Sequence, residues 1–161
     1  MMSSLAAIVR WCSTLAPIVF IRDSRYGMPA VQSVHLVGIT VLLAAIVVLD
    51  LRLAGVGMMN ESLVWVEQQL RPWIIGAVTL VILSGALIFL GTPSKYAHSN
   101  PFRIKMAMLC VAIAFQFGVL RRFVTADGGS RAGRVQRLVA ALSVTLWFLV
   151  GWAGRAIAFV P

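Results

Sequence analysis

The chain has 161 residues, of which 60% are apolar and only 12% charged, with a net charge of +9. Ordinary soluble domains carry about a quarter charged residues, and a water-soluble core of this size has no room for so much apolar side chain, so a second apolar solvent is required, the lipid bilayer. The length leaves no space for a soluble catalytic module beside the helices, and no basic run is interleaved with aromatics that would stack bases. The positive charge is therefore read as lipid-facing basic loops, not as a nucleic-acid surface.

In chain order, residues 5–21 (LAAIVRWCSTLAPIVFI) are apolar but broken by Arg10 and Pro17. They are expected to lie in the membrane interface as one or two short helices, with Trp11 at headgroup depth. No basic residue precedes the apolar stretch and no A-x-A-like site follows it, so residues 1–29 are assigned to an interfacial segment and not to a signal peptide. A polar turn, Arg22 to Gly27, leads to Pro29, which suits the first turn of a helix.

Residues 30–161 are assigned to an all-α domain of four transmembrane helices, over about 30–53, 73–91, 102–120 and 138–159. Asp50 and Arg52 mark the far end of span one and are expected to pair with each other or with Arg121 or Arg122. The loop that follows contains Gly55, Gly57, Asn60 and Glu61, and Val64 and Val66 suggest a short interfacial helix. Span two is an unbroken apolar run from Trp73 to Gly91. Span three holds one strongly polar residue, Gln116, expected to hydrogen-bond to a neighbouring helix for about 1 kcal/mol. Small residues (Gly38, Ala44, Ala45, Gly76, Ser84, Gly85, Gly151 and Gly154) sit where helices approach closely. The 14 Lys and Arg residues divide evenly between the two sides. That count does not set the orientation, and their density in the 121–137 connection only favours a cytoplasmic side for it. Cys12 and Cys110, far apart and outside any C-x-x-C motif, are expected to be buried packing residues.

Several segments carry a resemblance: Ile21 to Leu53 (IRDSRYGMPAVQSVHLVGITVLLAAIVVLDLRL), Asn100 to Met106 (NPFRIKM) and Ala153 to Phe159 (AGRAIAF). They resemble a family of small bacterial four-span membrane proteins of unknown function, in which I-R-[DE]-S, V-H-x-x-G, L-D-L-R-L, N-P-x-F-R-x-K and G-R-x-I-A recur. The resemblance implies a multi-pass protein of the bacterial inner membrane and brings no known reaction. That family is distantly similar to copper-resistance-D and b-type cytochrome membrane domains, whose intramembrane histidines hold haem. Many relatives carry a second histidine just before the arginine that ends span three. Here that stretch reads Val119-Leu120-Arg121-Arg122, and the histidine is missing.

His35 is the sole histidine within a span, and an intramembrane ionisable group is a functional candidate by default. The competing reading is a neutral imidazole bonded to a neighbouring carbonyl or hydroxyl. His98, in the second connection, shares a membrane side with the start of span one, as do Met106 and Cys110 on one face of span three. Imidazole, thioether and thiolate donors suit haem b or copper(I), so His35 and His98 are candidate cofactor ligands, and His35, His98, Met106 and Cys110 a candidate metal set. Seven methionines make packing the simpler explanation for Met106.

No span is expected to bury an Asp or Glu, which argues against an ion or proton relay. No H-E-x-x-H, G-x-S-x-G or phosphate loop is present, nor the paired broken helices of a secondary transporter. The favoured reading is a non-catalytic accessory or structural subunit that packs against other membrane subunits or further copies of itself. A small haem- or copper-binding redox protein built on His35 is the alternative. A channel or carrier formed by oligomerisation comes third, for lack of polar residues to line a pore.

Overall fold

Helix is the only regular structure that lets a single segment satisfy its own backbone in lipid, and helices are the only elements among the described residues. The computed structural model describes residues 11–93, 100–126 and 133–156. In order these form α1 (Ala16–Asp23), α2 (Gly27–Leu53), α3 (Leu63–Gly91), α4 (Asn100–Ala114), a six-residue π-helical turn (Phe115–Leu120), α5 (Arg121–Ala126) and α6 (Arg134–Ala156). Four stretches, Gly27–Leu53, Leu63–Gly91, Asn100–Phe123 and Arg134–Arg155, are long and apolar enough to cross a membrane. The protein is an all-α bundle.

Local chemistry sets the helix ends. Pro17 falls in the first turn of α1, where its missing N–H would have no partner in any case. α2 ends in a Schellman motif. Gly55 takes a left-handed backbone (φ 74°), its N–H donates to the Arg52 carbonyl, and the Val56 N–H donates to that of Leu51. The Arg52 Nε donates to the Glu61 backbone carbonyl at 2.8 Å and closes the loop. Ser62 caps α3, its Oγ accepting the Trp65 N–H at 3.1 Å. That cap starts α3 at Leu63, well before the apolar run at Trp73, and the helix continues through Pro72. The stretch expected to be a separate interfacial helix is thus the first part of α3. At 29 residues α3 is about 44 Å long, more than the roughly 30 Å hydrocarbon core, so its charged first turns reach the headgroups. The Gln136 Oε1 accepts the Gly133 N–H, half of a capping box, and opens α6.

The chain divides into two compact units, residues 1–41 with 76–99 and residues 42–75 with 100–161. In the first, α2 runs antiparallel to α3, with glycine supplied by both helices, Gly38 by α2 and Gly85 and Gly91 by α3. A Cβ on Gly38 would lie 3.0 Å from Val81, one on Gly85 3.3 Å from the His35 ring, and one on Gly91 3.0 Å from the Met28 sulfur. Each glycine therefore receives a larger side chain from the facing helix, which is how helices associate in lipid without a hydrophobic force between them.

In the second unit α2 turns a stripe of Leu42, Ala45, Ile46, Leu49, Asp50 and Leu53 inward, all buried. The spacing is that of one helix face. α4 packs against α6, which buries Ala140, Ser143, Trp147 and Val150 at intervals of three and four. Ala112, Gln116 and Leu120 are buried at intervals of four. A regular turn of 3.6 residues would rotate such a series off its line, and the wider π turn at Phe115–Leu120 counters that drift. Phe148, Leu149 and Trp152 on α6 point outward, Trp152 being 77% exposed, as suits a lipid-facing surface. Cys110 is also exposed and Cys12 half-buried, so Cys110 is not the buried packing residue that its apolar neighbourhood implied.

A substitution pair separates glycines with a facing side chain from those without. Gly85→Leu forces the His35 ring away and should cost about 1–3 kcal/mol. Gly76→Leu, where a Cβ meets nothing within 4 Å, should leave the isolated chain near wild-type stability. Thermal unfolding in mild detergent measures both, and equal losses would contradict the packing described.

Candidate functional site

Two polar features lie within the helices. The first is His35 on α2. Its Nδ1 is 2.8 Å from the Oγ of Ser84 on α3, and the Ser84 hydroxyl spends its proton on the Leu80 carbonyl at 2.6 Å. With that proton committed, the hydroxyl oxygen is left to accept, which favours the tautomer protonated on Nδ1. A hydrogen-bonded second nitrogen is the arrangement that orients ligating histidines, and it is equally a structural tie between two helices. Of the other residues proposed from sequence as ligands, Met106 is exposed and, like the exposed Cys110, belongs to the second unit. His98 lies outside the described residues. No group of three or more His, Cys, Asp or Glu side chains suited to a metal ion occurs among the described residues.

The second feature was not foreseen. Asp50 is 2% exposed, Gln116 4%, Ser143 0% and Trp147 3%. Both Asp50 carboxylate oxygens, the Gln116 Oε1, the Ser143 Oγ and the Trp147 Nε1 lack a hydrogen-bond partner. Ser143 stands beside the Asp50 carboxylate, near enough for its hydroxyl to interact with it but outside the geometry of a full hydrogen bond. The expectation that no span buries an acid is therefore overturned, and so is the proposed clamp between Asp50 and Arg52, Arg121 or Arg122. Two residues along a helix is a turn of about 200°, so Asp50 enters the core while Arg52 serves the loop carbonyl of Glu61. Gln116 likewise does not make, through its Oε1, the interhelical bond expected of it.

The Ser143 hydroxyl stands apart from other hydroxyls in these helices. Ser33, Thr40, Ser84 and Thr145 each donate to the carbonyl four residues back, the usual internal solution for a hydroxyl in an apolar setting. Ser143 makes no such bond. A buried polar atom without a partner costs about 1–3 kcal/mol, more when charged, so five such atoms on α2, the π turn and α6 are an uncommon concentration that apolar packing does not explain. Beside it is a cavity of about 20 Å³ lined by Leu49, Ile74, Gln116 and Phe117 together with Glu67, Arg71 and Arg121. That volume holds about one water molecule. Sequence spacing offered a signal for the centre, since Asp50 continues the 42/45/46/49 stripe and Ser143 and Trp147 share the 140/143/147/150 stripe.

The His35–Ser84 tie is measurable by a double-mutant cycle. His35→Ala and Ser84→Ala should couple by about 0.6–1.7 kcal/mol, the range of interhelical side-chain hydrogen bonds in membranes. Additive losses would mean that the bond contributes nothing.

No curated protein and no solved structure matches the chain. A family model described as a family of unknown function (DUF6644) matches residues 4–160, nearly the whole sequence and every feature above. The chain belongs to that family.

Proposed function

We propose that this protein is a non-catalytic accessory or structural subunit of a complex in the bacterial inner membrane, and that it binds its partners through open glycine faces on its helices. The observation that supports this reading is the contrast between two sets of glycines. Gly38, Gly85, Gly91 and Gly154 each have a side chain of the same chain within contact distance of where a Cβ would stand, that on Gly154 being Lys105. Gly76, Gly118 and Gly151 are exposed, with nothing within 4 Å of that position. Glycine within a helix costs about 1 kcal/mol against alanine. On an outer face that cost is offset when another helix comes close enough to use the gap. The occupant is a helix of another membrane subunit or of a second copy.

Extraction into polymer-bounded lipid discs, followed by identification of co-purifying proteins and measurement of particle mass, tests this reading. The expected result is a defined partner or a homo-oligomer that is lost in Gly76→Leu or Gly151→Leu while the chain itself stays folded. A wild-type chain that emerges as a lone monomer would contradict it.

A second reading, haem b or copper held through His35, keeps one observation in its favour, the Nδ1–Ser84 bond that fixes the ring. Such a group would supply one-electron chemistry, and His35 would hold it through its imidazole with a second ligand from elsewhere. An absorbance band of haem, or copper at about one per chain, lost in His35→Ala, would place this reading first. Purified protein free of both would remove it.

A further inference from the structure

Asp50, Ser143 and Gln116 contribute four buried oxygen atoms without hydrogen-bond partners, from α2, α6 and the π turn. We propose that Asp50 and Ser143, with the side-chain carbonyl of Gln116, form a binding site for one small monovalent cation. The donors decide the class of occupant. All four are oxygens, which suit hard cations, and the site has no imidazole or thiolate to favour a transition metal. The charge decides the valence. One carboxylate neutralises one positive charge, whereas a divalent ion would leave an uncompensated charge in a low-dielectric interior.

Ser143 is placed for the role, because a hydroxyl not committed to the carbonyl of its preceding turn can turn a lone pair towards an ion. Trp147 lies one turn beyond Ser143 on the same face of α6. Its indole N–H is donor-only and cannot ligate a cation, but it finds an acceptor in a carboxylate oxygen or in an ion-bound water. The neighbouring cavity, with Gln116 in its wall, has space for about one such water. In its lining Glu67 is outnumbered by Arg71 and Arg121. A net positive lining opposes a steady flow of cations, so the ion is a resident that ties α2, the π turn and α6 together.

The test uses the full chain in lipid discs. Thermal unfolding is compared in sodium chloride, potassium chloride and N-methylglucamine chloride at equal ionic strength, and sodium binding is counted by equilibrium dialysis with radioactive sodium. Sodium or potassium should stabilise the wild type and N-methylglucamine should not. At a hundredfold excess over the binding midpoint the ratio of folded to unfolded chain rises about 100-fold. Asp50→Asn keeps the side-chain volume without the charge and should fold while losing the cation response. Ser143→Ala should raise the midpoint concentration, and Asp23→Asn, on the exposed Arg22 pair, should change nothing. Equal wild-type stability in all three salts with no sodium bound would overturn the proposal. So would a cation response that survives Asp50→Asn, or a wild type whose stability answers to pH alone and not to the cation. Should Asp50→Asn fail to fold, dialysis decides on the wild type: about one displaceable ion per chain supports the site, and none overturns it.

Discussion

In a bilayer no water stands ready to satisfy a polar group, so every hydroxyl, carbonyl and amide must find its partner in the protein. Most of this structure follows from that requirement. The span residues Ser33, Thr40, Ser84 and Thr145 turn their hydroxyls back onto their own helix, and the Arg52 guanidinium closes the loop after α2 by reaching a backbone carbonyl. His35 meets the requirement across two helices through Ser84. Against this background the group around Asp50 is the exception, and its position on the inward stripe of α2 makes it part of the core and not a border residue.

The same requirement explains why glycine matters here. Apolar side chains gain nothing by leaving lipid for each other, so the α2–α3 pairing in the first unit depends on backbones that approach closely, with Val81, His35 and Met28 seated against Gly38, Gly85 and Gly91. Glycines that receive no such side chain, Gly76, Gly118 and Gly151, are the faces through which we propose that partner helices dock. On that proposal internal fit and external association use one device, distinguished only by whether the facing residue belongs to the same chain.

The four spans were readable from apolar run length alone, because a stretch of about 20 apolar residues has few other homes. Their ends were less readable. α3 begins at Leu63 because Ser62 caps it, and a serine beside Glu61 in a polar loop is a faint signal next to the apolar run at Trp73. Asp50 was misplaced for a related reason. With Arg52 two residues away and the helix end close by, it looked like a headgroup residue, and only the stripe of Leu42, Ala45, Ile46 and Leu49 pointed inward. Gln116 was recognised as unusual, but the π turn around it has no sequence signature. Ser143 and Trp147 do not stand out by residue type, because serine and tryptophan are ordinary in membrane helices, and a hydroxyl that declines its own carbonyl is visible only in three dimensions. His35 is legible in the sequence as a polar group within a span, and its partner Ser84 is one of the small residues that mark close packing.

The central claim is that Asp50 faces the protein core at membrane depth. Spin labels placed singly from residue 42 to residue 53, with relaxation by oxygen and by a water-soluble nickel chelate, test it directly. Labels at Ile46, Leu49 and Asp50 should contact neither agent, while those at Val48 and Leu51, on the exposed side of the helix, should be reached by oxygen. A label at position 50 freely reached by the nickel chelate would return Asp50 to the water-facing border and contradict the account.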